Sequence, residues 1–119
     1  MENKVTLTPD ALIIIPQGLD KLWALKKQLT IPLSHVMGAT IDPEILQEFK
    51  GLRAPGTNVP GYTAGTFHHD GRKTFYNLKH TSTPVVIQLT NDDYDQLVLG
   101  IDDARKLVDQ INIAISSQA

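Results

Sequence analysis

His68, His69 and Asp70 stand consecutively near the middle of the chain, and two imidazoles followed by a carboxylate are donor types that hold a divalent metal. On a strand, however, neighbouring side chains leave opposite faces, so a site built on His68 and His69 needs a further ligand such as His35 or His80. The alternative reading is polar residues flanking a hairpin turn. A second candidate is GLRAPGTNVPG, residues 51–61. Arg53 brings a guanidinium, and the backbone around Gly56, Thr57 and Asn58 brings N–H donors, a combination suited to a carboxylate or phosphate group. The same prolines and glycines also read as a stiff structural loop carrying the chain across the mouth of a barrel. Third, Lys21, Lys26 and Lys27 lie beside Leu22 and Trp23, which suits contact with a membrane surface or another anion.

Other chemistries find little support. The serines fall at positions 34, 82, 116 and 117, none inside a G-x-S-x-G elbow. Ser34 and His35 are adjacent on an expected strand and would diverge. The chain has no cysteine, which excludes thiol catalysis, thiolate zinc sites and disulfides. Neither phosphate-binding glycine motif occurs. Asp92, Asp93, Asp95, Asp102 and Asp103 lack the ligand spacing and central glycine of an EF-hand; they read as a turn and a helix start. The expectation is a non-enzymatic binding or assembly module without a cofactor, contacting a protein, a peptide or a small anionic group. The alternatives are a peripheral membrane module using Lys21, Lys26 and Lys27, or a small metal-dependent enzyme using His68, His69 and Asp70.

Charge distribution bears on partners. Net charge is −2. Residues 1–53 are balanced, residues 54–90 carry a small basic excess, and the remainder is acidic. No basic face of the kind that displaces nucleic-acid counterions emerges, so no nucleic-acid partner is expected. The longest unbroken aliphatic run near the start is residues 12–15. A secretory signal needs about 7–15 apolar residues and a membrane span about 20, so a cytoplasmic protein is expected.

The elements that must position these residues follow from patterning. The 119 residues fit a single domain, with the tail after about residue 115 frayed. VTLTPD and ALIIIP read as strands joined at Pro9-Asp10. Residues 19–26 change to helical spacing. LTIPL and SHVMGATI follow as strands broken at Pro32, then PEILQEF as a short helix capped by Asp42. GYTAGTFHH and RKTFYNLKH flank Asp70-Gly71, the dipeptide of a two-residue type I′ hairpin. TPVVIQLT and YDQLVLGI are further strands. The chain closes with a helix capped by Asp102, with Ala104, Leu107, Val108, Ile111, Ala114 and Ile115 on one stripe. Trp23, Phe67, Phe75 and Tyr76 read as core, with a stacking platform for a ligand as the alternative. Ile113 lies off the stripe and is available for a second subunit, which makes a homo-oligomer a candidate state. About seven antiparallel strands with a late apolar-faced helix suit a barrel or sandwich plugged at one end.

LIIIPQGLDKLWALKKQLTIPLSHVMGATIDPE, KGLRAPGTNVPG, AGTF and the aspartate-rich start of the last helix resemble the small bacterial pleckstrin-homology-like family across about residues 12–115. The most specific pieces are GLDKLWALKKQLTIPLSHV and GLRAPGTNVPG. The resemblance implies a mainly β fold, a seven-stranded bent antiparallel barrel or sandwich capped by a C-terminal helix, with one or two short helical insertions. It implies little about function, because that fold hosts lipid binding, peptide binding and scaffolding alike. The first hairpin departs from the lipid-binding members. Its tip, Thr8-Pro9-Asp10-Ala11, is short and carries a negative charge in place of phosphate-gripping basic residues.

Overall fold

The computed structural model describes residues 3–16, 28–45, 52–59, 62–69, 71–79 and 81–117. Two sheets and one α-helix organise them. The smaller sheet begins with the expected hairpin, β1 (Asn3–Leu7) against β2 (Ala11–Pro16), in a register that sets Val5 opposite Ile14. Thr8 closes the turn: its backbone N–H donates to the Ala11 carbonyl at 2.9 Å, and its hydroxyl accepts from the Ala11 N–H at 3.0 Å. β3 (Leu29–Pro32) completes this sheet on the far side of β2. Pro32 ends the strand as expected, but Leu33–His35 then form a 3-10 turn, so β4 (Val36–Ile41) starts two residues later than the apolar pattern suggests.

The larger sheet comprises β4, β5 (Leu52–Val59), β6 (Tyr62–His69), β7 (Arg72–Lys79), β8 (Thr83–Leu89) and β9 (Gln96–Ile101), in the order β4-β8-β9-β7-β6-β5. The β6–β7 hairpin has the expected register, with His69 opposite Arg72, and Gly71 adopts φ of 77°. That left-handed conformation is open to glycine at little cost. Asp70, the other turn residue, lies outside the described residues.

Three expectations are corrected. First, among the described residues nine strands replace seven, and they are not all antiparallel: β9 inserts between β8 and β7 and runs parallel to β7, pairing Phe75 with Leu97 and Tyr76 with Val98. Both faces of β9 are covered, and a strand buried on both sides takes a central position. Asp95 seeds the parallel junction. Its N–H donates to the Lys73 carbonyl at 2.8 Å, its carboxylate accepts from the Lys73 N–H at 2.7 Å, and its carbonyl accepts from the Leu89 N–H at 2.9 Å. Second, residues 52–59 form an edge strand on β6, not a loop across a barrel mouth. The register slips between Arg53 and Gly56, so Pro55 occupies a bulge where no ladder donor is needed. Opposite that bulge, Gly65 adopts φ of 109°. Third, the helix α1 (Ala104–Ser116) is preceded by Asp103, not Asp102, at the capping position, without a side-chain cap bond, and it runs past residue 115.

The core lies between the sheets. Leu12 and Ile14 of β2, Ile31 of β3, Phe75 of β7, Val85 and Ile87 of β8, and Leu97 and Leu99 of β9 form one cluster with Leu107, Val108 and Ile111 of α1. The sheets remain separate among the described residues, and α1 packs along β4, a free edge of the larger one. There Asn112 substitutes for a neighbouring strand. Its Oδ1 accepts from the Ala39 N–H at 3.0 Å and its Nδ2 donates to the Ala39 carbonyl at 2.9 Å. Asn112→Ala removes both bonds at a half-buried edge, so a loss of about 1–2 kcal/mol is expected. Urea denaturation checks the magnitude, and faster hydrogen exchange at the Ala39 amide checks the location.

Candidate functional site

The outer face of the larger sheet, turned away from the main core, carries a concavity of about 280 Å³. Period-two alternation builds it. Thr74 and Tyr76 of β7, Val86 and Gln88 of β8, and Gln96 of β9 share this face, joined by Phe67 of β6 and Thr40 of β4. Beyond β4, Asp42 accepts from the Glu44 N–H through Oδ1 at 3.2 Å, and its carbonyl accepts from the Ile45 N–H at 3.2 Å. This turn lays Ile45 against Phe67, Tyr76, Leu78, Val86 and Val98, a second apolar cluster. Phe67 and Tyr76 meet edge to face, centroids 5.1 Å apart and planes at 82°, the arrangement their quadrupoles favour.

Arg72 supplies the positive charge among the described residues of this lining. Its Nη2 donates to Gln88 Oε1 at 2.8 Å and to Gln96 Oε1 at 3.4 Å, while Gln88 Nε2 donates to Gln96 Oε1 at 2.9 Å. Two glutamines thus hold an exposed guanidinium at the end of an apolar floor, with no carboxylate partner among the described residues. Sequence reasoning missed this arginine as a site residue. The signal lies in same-face alternation on three strands, and it becomes readable only once β9 is known to separate β7 from β8.

The residues singled out from sequence do not assemble into one site. Arg53, Gly56, Thr57 and Asn58 all belong to β5, where they pair with Phe67, Gly65, Ala64 and Thr63 respectively. Lys21, Lys26 and Lys27, the expected helix over residues 19–26, Trp23 and most of PEILQEF lie outside the described residues. His68 is exposed and pairs with Lys73, whereas His69 pairs with Arg72. No group of three metal-ligating side chains converges among the described residues.

His35 turns to a partner the sequence did not suggest. On the 3-10 turn, its Nδ1 lies 2.8 Å from Asp92 Oδ2, and its carbonyl accepts from the Thr90 N–H at 2.9 Å. Asp92 also takes the Asp93 N–H at 2.8 Å. This pair ties the 3-10 turn to the loop before β9. Phe67, Phe75 and Tyr76 are buried, whereas Ile113 is 67% exposed. Among the described residues no helix is long and apolar enough to cross a membrane.

Compared with known proteins, the chain matches no family model, no curated protein and no solved structure.

Proposed function

We propose that this protein is a non-enzymatic binding module whose ligand site is the concave outer face of the larger sheet. The observation that carries this reading is Arg72, held by Gln88 and Gln96 at the end of a floor containing Phe67, Tyr76 and Val86. A concavity that combines an apolar floor with fixed polar groups has the elements of a small-ligand site. A guanidinium in that position selects an anionic head, and the floor selects an apolar body. The pleckstrin-homology-like affinity belongs to the same proposal. Two sheets with a C-terminal helix support it, while the parallel β7–β9 pair departs from it. The binding reading therefore rests on the pocket and not on the fold.

Octanoate, a carboxylate with an apolar tail, is a suitable probe. Arg72→Gln is expected to weaken its binding roughly 10- to 100-fold, the worth of a charge-assisted hydrogen bond. Stability should stay within about 0.5 kcal/mol, as for an ordinary surface change. Isothermal titration with octanoate and thermal melts of both proteins make the comparison. Octanoate affinity unchanged in Arg72→Gln would remove this pocket as the site.

A further inference from the structure

Resting on that reading, we propose that the ligand is dipolar: its anion meets Arg72, and a cation separated from it by a short apolar linker meets Asp42. Among the described residues that line the concavity there is one charge of each sign, Arg72 and Asp42, and they do not pair with each other. Arg72 is engaged by Gln88 and Gln96. The contact assigned to the Asp42 carboxylate is the Glu44 N–H on Oδ1. Thr40, Tyr76 and Val86, all uncharged, line the same concavity.

The ladder sets the spacing. Arg72 is bonded to Gln88, and Asp42 donates its N–H to the Pro84 carbonyl at 3.1 Å. Gln88 and Pro84 are four positions apart on β8, which amounts to about 13 Å along a strand. A hydrogen bond of about 3 Å at each end then leaves roughly 7 Å between the two charges of the ligand. A purely apolar tail would lay hydrocarbon beside the half-buried Asp42 carboxylate and displace water from its charge. A terminal amine answers it. An ω-amino acid with a medium alkyl chain has this chemistry. So does a dipeptide, two extended residues at about 3.3 Å each with a free amine at one end and a free carboxylate at the other.

End-amino acids of increasing length measure the spacing: aminobutanoate, aminohexanoate and aminooctanoate, with hexanoate and octanoate as tails lacking an amine. On the intact chain, aminohexanoate is expected to bind about three- to fivefold tighter than hexanoate, the scale of a partly exposed ion pair, and tighter than aminobutanoate. Asp42→Asn, which keeps an oxygen for the Glu44 N–H, should erase that advantage without weakening octanoate binding. Diglycine binding lost on amidation of its carboxyl end would assign the chemistry to a short peptide; binding of aminohexanoate without diglycine would assign it to a free amino acid. Equal affinities for hexanoate and aminohexanoate, or an advantage that survives Asp42→Asn, would overturn the dipolar ligand while Arg72-dependent octanoate binding still stood. Failure of Arg72→Gln to weaken any of these probes would overturn both.

Discussion

Ile111→Ala is expected to lower the stability of this protein by about 2–5 kcal/mol, the range for emptying a buried aliphatic site. Ile111 has no exposed surface and belongs to the cluster that contains Leu12 and Ile14 of the small sheet and Val85 and Ile87 of the large one. One side chain therefore belongs to the core shared by both sheets. Relaxation into the space it leaves is restricted, because the next residue, Asn112, is bonded twice to the Ala39 backbone and holds the helix in place. A small domain has about 5–15 kcal/mol in total, so the variant should unfold at a much lower urea concentration with a single transition. Ile113→Ala is the control: two residues along the same helix but solvent-exposed, it should change stability by less than about 0.5 kcal/mol. Equal effects from both substitutions would mean that α1 is not part of the core.

Asn77→Ala should cost about 2–4 kcal/mol, for a different reason. Asn77 is fully buried and Asn3 is 4% exposed. Asn77 Nδ2 donates to Asn3 Oδ1 at 2.9 Å, and Asn3 Nδ2 donates to the carbonyls of Asn77 at 3.0 Å and Gly100 at 3.1 Å. This network joins β1 to β7 and β9 across the two sheets. Truncating Asn77 strips the Asn3 carbonyl of its donor where water has little access, so the desolvation of that oxygen is no longer offset. The cycle with Asn3→Ala isolates the coupling. The double variant should cost less than the sum of the singles by about 0.5–3 kcal/mol, measured by urea denaturation of all four proteins. Strict additivity would show that the two amides act independently.

Several parts of this fold are legible in the amino-acid order alone. The β6–β7 hairpin rests on Asp70-Gly71 between two alternating segments, and the helix rests on 3.6-residue spacing from Ala104 to Ile115. Both depend on contacts between near neighbours, which periodicity records. The edge strand β5 is not legible in that way, because its prolines and glycines describe what the backbone tolerates and not which strand lies beside it. Pairing with β6, with Pro55 placed in a bulge, makes a strand of a segment that reads as a loop.

The amino-acid sequence by itself determined the local units: the two hairpins, the apolar stripe of the last helix, and the aromatic residues that leave water. Apolar periodicity and turn chemistry act over a few residues, and no distant partner can change them cheaply. Tertiary structure alone decided which units became neighbours. β9 is apolar on both faces and could not be assigned to a partner from its own pattern; Asp95, bonded to Lys73 of β7, placed it there. The same step brought Gln96 beside Gln88 and set both against Arg72. The candidate site is thus a product of strand order, since Arg72, Gln88 and Gln96 come from three different strands and no local pattern in any one of them signals the other two.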